Sequence, residues 1–201
     1  EPHLSVFPGY SEIDKTELKN KFVYKNNKEA FNAACLNLKN LLKEKNYTEY
    51  KDGFIKKYVR YGVIGLGNMA SAMIGGILKK ELYSAEDIIG SDKSEDSVQK
   101  AAKIFGIHTT TDNLEVAQIA DVLILAVKPQ FFPEVIAEIK GAVREETLII
   151  SIAPGKTMEW IMEHFGRELK LVRCMPNTPA LVGEGCTGFC CYKLVSEEEQ
   201  A

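Results

Sequence analysis

The segment Gly65-Leu-Gly67-Asn-Met-Ala70 has the residue types and the spacing to hold a pyrophosphate. It lies between an apolar run, Val59-Arg-Tyr-Gly-Val-Ile64, and a stretch from Asn68 to Lys80 in which Met69, Ala70, Met73, Ile74 and Ile77 recur at helical spacing. In that setting Gly65 permits a tight turn, Gly67 lets the backbone approach an anion, and Ala70 lets the helix sit close to a sheet. The free N–H groups and the dipole at the start of the helix then favour negative charge. GxGxxA alone also serves as a plain structural turn; its place between a strand and a helix is what points to a dinucleotide.

The adenosine ribose of such a ligand meets the residues after the second strand. Asp92 follows Ile88-Ile-Gly-Ser, 27 residues beyond Gly65. Accepting from the ribose hydroxyls, Asp92 favours NADH; receiving a 2′-phosphate, Ser91, Lys93 and Ser94 favour NADPH, and both cofactors stay open. Ser94 reads equally as a helix cap, and Lys93 as a solvated lysine. Lys128 is a candidate ligand or base, or else a solvent-facing side chain, and Pro129 a rigid wall beside the nicotinamide or its ribose. Ser151-Ile-Ala-Pro-Gly-Lys156 ends a later strand near the same cleft. Met175-Pro-Asn-Thr-Pro179 sets an amide and a hydroxyl between two prolines, a rigid presentation near the redox end of a cofactor or an irregular connector.

Other chemistries lack their motifs. The chain has no GxxxxGK[ST] loop, no HExxH and no serine elbow. His108 reads as strand-end structure and His164 as part of a helix. The five cysteines, at 35, 174, 186, 190 and 191, form no CxxC, and with His3, His108 and His164 they give no metal-ligand spacing. Such sparse, odd usage fits a reducing compartment, with Cys190 and Cys191 expected to be buried or interfacial.

The elements that must position these residues alternate from residue 59 onward. Strands are predicted at 59–64, 88–91, 107–109, 121–127, 147–152 and 169–174. Between them lie helices at 68–80, from a Ser94 cap to Phe105 and Gly106, from a Thr111 or Asp112 cap to Ala120, and at 133–140 and 157–165. Gly75-Gly76 weaken the first helix, and close packing on the sheet is the expected reason they fit. The nearly continuous apolar run Asp121 to Val127 implies a central strand buried on both faces. Six strands and five helices in this order predict an α/β, Rossmann-like, doubly wound and mostly parallel sheet.

The whole chain of 201 residues suits one such domain and an appendage. A net charge of -3 gives no overall electrostatic reason to expect nucleic acid. Apolar runs of about seven residues fall short of the roughly 20 that span a bilayer. The start Glu1-Pro-His-Leu shows no leader, so the expectation is a cytoplasmic protein without a membrane partner. Residues 1–60 carry a net +4 and residues 61–201 a net -7, which marks a change of character near residue 60. In the first part Phe7-Pro-Gly-Tyr10 reads as a turn. Within residues 25–46, Phe31, Ala34, Cys35, Leu38, Leu41 and Leu42 recur at helical spacing and read as one amphipathic helix with Lys39, Lys43 and Lys45 on its solvated face, a membrane-surface or partner-binding helix being the other reading, and nothing there suggests chemistry.

The runs VIGLGNMASAMIGG (63–76), LAVKPQ (125–130), SIAPG (151–155) and RCMPNTPALVGEG (173–185) together resemble the pyrroline-5-carboxylate reductase family. The resemblance covers about residues 59–195 and leaves 1–58 unmatched; Pro154 stands where the family usually has a small residue. It implies hydride transfer from NADPH or NADH to C5 of the cyclic imine 1-pyrroline-5-carboxylate, giving L-proline. It also implies that Gly65, Gly67, Asn68 and Met69 hold the pyrophosphate, that Ala126, Val127, Lys128 and Pro129 line the nicotinamide-ribose side, and that Asn177, Thr178 and Pro179 lie nearest the redox centre. The proton donor stays open, water being as defensible as any side chain. A non-catalytic dinucleotide-binding module, or a related imine or β-hydroxyacid oxidoreductase, are the alternatives.

Family members continue into an all-helical domain that builds the dimer and the pocket for the substrate carboxylate. Residues 196–201, with Ser196 and Glu199 as a capping box, read as the start of that domain. A homo-oligomer is expected only where it is present. The expected outcome for the isolated 201 residues is dinucleotide binding with little or no catalysis. Ordinary turnover of the imine by the purified chain, with either reduced cofactor, contradicts it.

Overall fold

Side-chain caps and left-handed glycines set the helix ends where the sequence places them. Ser94 Oγ accepts from the Ser97 N–H at 3.4 Å, Asp112 Oδ1 from the Leu114 N–H at 2.8 Å, and Thr157 Oγ1 from the Trp160 N–H at 3.2 Å. Gly106 and Gly166 close two of these helices at φ of 67° and 75°.

The structure, a computed structural model, describes Tyr47–Glu49, Ile55–Lys57 and residues 59–200. The turn at 7–10 and the helix within 25–46 lie outside the described residues. The chain forms two compact units, 1–58 and 59–201. In the first, β1 (Tyr47–Glu49) and β2 (Ile55–Lys57) pair antiparallel, Tyr47 opposite Lys57.

In the second, β3 (Tyr61–Ile64), α1 (Asn68–Lys79), β4 (Ile88–Ser91), α2 (Glu95–Phe105) and β5 (His108–Thr110) form the first half. The chain continues through α3 (Asn113–Ile119), β6 (Val122–Leu125), α4 (Phe132–Ile139), β7 (Leu148–Ser151), α5 (Met158–Phe165) and β8 (Lys170–Pro176). It ends in β9 (Thr187–Cys191) and α6 (Glu197–Gln200). The sheet order is β5-β4-β3-β6-β7-β8-β9, parallel throughout except that β9 runs antiparallel to β8. Strand order reverses at β3, with β4 on one side and β6 on the other, so the crevice between the carboxyl ends of β3 and β6 is the switch point where such folds bind ligands.

Alternate residues of these strands feed two cores. Ile64, Leu123, Leu125, Ile149 and Leu171 pack with residues of α3, α4 and α5, while Val63, Ile88 and Ile124 pack with Ala70, Ile74 and Ala101 of α1 and α2. Covering both faces explains the nearly unbroken apolar run of β6. At the opposite end of the sheet, Asp121 accepts from the Arg60 N–H at 3.0 Å and pairs with Arg144 at 2.7 Å. Ser196 and Glu199 form the reciprocal capping contacts, with Ser196 N–H to Glu199 Oε2 at 2.9 Å and Glu199 N–H to Ser196 Oγ at 3.2 Å. Among the described residues no helix is long and apolar enough to cross a membrane.

Four expectations need correction. The sheet has a seventh strand, β9, and β8 runs on to Pro176, so Met175 and Pro176 belong to a strand rather than a connector. Cys190 is exposed because β9 is a sheet edge, which excludes the buried reading of that cysteine and leaves the interfacial one. Gly75 and Gly76 are not forced by close packing: a Cβ on Gly75 would make ordinary contact with the Phe105 ring at 3.5 Å, and one on Gly76 would meet nothing within 4 Å.

The glycine that packing does require is Gly62, in the middle of β3. A Cβ there would lie 2.7 Å from Ala120 Cβ and 2.8 Å from Val116 Cγ1, both fully buried. Gly62→Ala is therefore expected to destabilise the domain by about 1–3 kcal/mol. Denaturant unfolding followed by the fluorescence of Trp160 measures this, since Trp160 is the chain's one tryptophan.

Candidate functional site

At the switch point three loop segments meet, and Gly65 joins them. It has φ +95°, and a Cβ on it would lie 2.9 Å from the carbonyl carbon of Ala126 and from N and Cγ1 of Val127. Its N–H donates to Ser91 O at 2.8 Å, and the Ala126 N–H donates to Ile64 O at 2.8 Å. The turns after β3 and β6 therefore touch backbone to backbone, each held to a neighbouring strand.

The next two residues prepare the helix. Leu66 is buried and fills the space that a Cβ on Gly90 would need, its Cδ2 lying 2.6 Å from that position. Its N–H donates to Asp92 Oδ2 at 2.8 Å, and the Ser94 N–H donates to Asp92 Oδ1 at 2.9 Å. Asp92 thus reaches across from the end of β4 to brace the glycine turn. Gly67 then caps α1 at φ -73°, ψ -172°, a conformation open to any residue, with no side-chain cap and no acidic residue in the first turn. A Cβ there would meet nothing within 4 Å.

Neither backbone strain nor internal packing explains the missing side chain of Gly67. What it leaves is open space in front of an uncapped helix N-terminus, where N–H groups have no intrahelical acceptors. Asn68 is exposed and Met69 half-buried in that first turn. These residues fit a dinucleotide pyrophosphate: room for close approach, donors, and a favourable dipole.

On the β6 side Ala126 and Val127 are half-buried, Lys128 is exposed, and Pro129 starts a short 3-10 turn, Pro129–Phe131. The turn Thr178–Val182 packs against α1, which brings Asn177 and Thr178 to the same region of the domain. Asn177 Oδ1 accepts from the Cys186 N–H at 2.9 Å and so braces the return toward β9; both Asn177 and Thr178 are exposed.

Two of the sequence candidates sit differently. Ser91 is wholly buried and its hydroxyl donates to Asn113 Oδ1 at 2.8 Å, so it serves the interior rather than the surface. Lys93 is exposed and pairs with Glu134 Oε1 at 2.6 Å, a contact that raises its pKa. Lys156 lies 3.7 Å from the centre of the Trp160 ring, which itself stacks on His164.

Asn113, which sequence reading passed over, links the site to the helix layer. It takes the Ser91 hydroxyl and donates through Nδ2 to Glu138 Oε2 at 2.9 Å. The only sequence signal was an asparagine directly after a helix cap. Burial, then the neighbouring Cys191 and Cys190, raises the pKa of Cys174, the opposite of an activated thiol. Among the described residues no group of three or more His, Cys, Asp or Glu side chains is arranged to hold a metal.

Comparison with known proteins agrees with this fold. Residues 60–155 match the family described as NADP oxidoreductase, coenzyme F420-dependent. The pyrroline-5-carboxylate reductase of Escherichia coli K12 is 37% identical over 142 residues, 71% of this chain and 53% of that protein. A solved pyrroline-5-carboxylate reductase from Coxiella burnetii superposes with a TM-score of 0.68 at 35% identity, over 71% of this chain and 53% of that one. The Plasmodium falciparum pyrroline carboxylate reductase, solved with NADP bound, gives 0.63 at 32% identity over 71% and 51%. The chain spans about half the length of the curated relatives it matches. Over the matched region, the chain matches in sequence and fold the N-terminal nucleotide-binding domain of the pyrroline-5-carboxylate reductase family.

Proposed function

We propose that the protein reduces 1-pyrroline-5-carboxylate to L-proline with NADPH or NADH, and that the domain from residue 59 holds the cofactor. The observation that carries the cofactor-binding part of the reading is Gly67: a residue without a side chain, in a conformation that does not need glycine, with nothing among the described residues within 4 Å of where a Cβ would stand. A bound reduced nicotinamide supplies the hydride.

The chain's own residues bind and orient. The N–H groups of Gly67, Asn68 and Met69 hold the pyrophosphate, and Asp92 keeps the turn in the shape that presents them. Ala126, Val127 and Pro129 give the nicotinamide ribose a half-buried wall, with exposed Lys128 at its rim. Asn177 and Thr178 offer an amide and a hydroxyl nearest the imine. The agreement of four separate motifs with one family, and the 37% identity to a pyrroline-5-carboxylate reductase, support the substrate.

Serine at position 67 separates folding from binding. Gly67→Ser supplies a good helix cap in an allowed conformation, so stability is expected to hold or rise by up to about 0.5 kcal/mol. The hydroxyl fills the approach space and takes an N–H, so dinucleotide affinity is expected to fall by at least about tenfold, or ~1.4 kcal/mol. Calorimetric titration beside thermal melting reads both, and unchanged affinity contradicts the site. For the substrate, the product of the complete gene is expected to form proline from the imine with either reduced cofactor. Reduction of a different substrate while the imine is ignored contradicts the reaction.

A further inference from the structure

We infer that this site takes NADH in preference to NADPH and that Asp92 decides the choice; the inference rests on the dinucleotide-binding reading above. The two cofactors differ only at the adenosine ribose, where NADPH carries a phosphate in place of a hydroxyl. Two of the three groups that would donate to that phosphate are engaged elsewhere. Ser91 is buried with its hydroxyl given to Asn113. The Ser94 hydroxyl caps α2 by accepting from the Ser97 N–H at 3.4 Å, which keeps its own O–H as the one neutral donor there, with no charge to set against Asp92. The Lys93 ammonium pairs with Glu134 at 2.6 Å, with Glu138 also close enough to act on it.

What stands at the end of β4 is the Asp92 carboxylate, fixed by two backbone donors, the Leu66 N–H at 2.8 Å and the Ser94 N–H at 2.9 Å. The contact to Leu66 puts this charge beside the glycine turn, at the adenosine end of the crevice. Each carboxylate oxygen accepts one of those bonds and keeps further acceptor capacity. That suits two ribose hydroxyls, which can donate. A phosphate offers only acceptors and like charge. The opposing residue is Lys93, whose exposed pair with Glu134 is weak enough to open. Even then it contributes one cation against Asp92, Glu134 and Glu138, so the local balance stays negative.

The test is calorimetric titration of the 201-residue chain with NADH and with NADPH. The expected result is NADH bound at least about tenfold more tightly, the scale of one like-charge contact in a partly screened site. Asp92→Asn keeps an oxygen that can accept from a backbone N–H but removes the charge, and is expected to shrink the gap to about threefold or less. Glu134→Gln, which frees Lys93 and leaves Asp92, is expected to keep NADH ahead. NADPH bound as tightly as NADH by the unaltered chain overturns the inference, as does an unchanged gap in a folded Asp92→Asn variant. Should that variant fail to fold, the ratio in the unaltered chain decides alone. Binding of neither cofactor overturns the dinucleotide reading itself, a separate failure.

Discussion

Gly65 is denied a side chain twice over, by its left-handed backbone and by the Ala126-Val127 backbone 2.9 Å from where a Cβ would stand. Everything at the carboxyl end of the sheet follows from that contact. It turns the chain sharply out of β3, so that α1 starts at the switch point instead of farther along the sheet. It also brings the loop after β6 to the turn after β3, so one crevice has both walls. An added methyl group would separate the walls as well as strain the turn, and the crevice would widen where the ligand must be gripped.

A turn that tight needs to be held, and the holding is polar on one side and apolar on the other. Asp92 takes the Leu66 N–H while the Leu66 side chain drops into the space above Gly90. Beneath them Ser91, Asn113 and Glu138 tie β4 to α3 and α4 by hydrogen bonds at 2.8 and 2.9 Å. Ser91 and Asn113 are buried, where polar groups are costly unless paired, so their bonds, anchored at the exposed Glu138, favour one arrangement of strand and helices. The donors at the start of α1 are left uncapped at the end of this braced structure. Preorganisation of that kind lowers the ordering cost of binding.

Much of this was legible in the residues. Buried parallel strands announce themselves as short apolar runs, as Val122–Leu125 does, and Ser94, Asp112, Thr157, Gly106 and Gly166 end their helices by local chemistry that needs no tertiary context. Strand β9 was hidden because Thr187–Gly188–Phe189–Cys190 is exposed, carries a glycine and pairs antiparallel at the sheet edge, which leaves no local period. The fate of Ser91 was hidden for another reason. Whether Ser91 or Asp92 points into the crevice depends on the pleat of β4 and on where the strand ends, and one residue of difference exchanges interior for surface. Likewise the pairing of Lys93 with Glu134 joins residues 41 apart that no spacing rule connects. The motif thus located the crevice, and only the fold could say which polar groups near it were already occupied.

The central claim is that the N–H groups at the start of α1 are where the dinucleotide sits. Amide chemical-shift mapping of the isotope-labelled chain, titrated with reduced dinucleotide, addresses those groups directly. The account predicts that the amides of Gly67, Asn68 and Met69 move first and furthest, with smaller shifts for Ala126, Val127 and Lys128. Shifts confined to the β9 edge or to α5, with the amides of 67–69 unmoved at saturation, would contradict it.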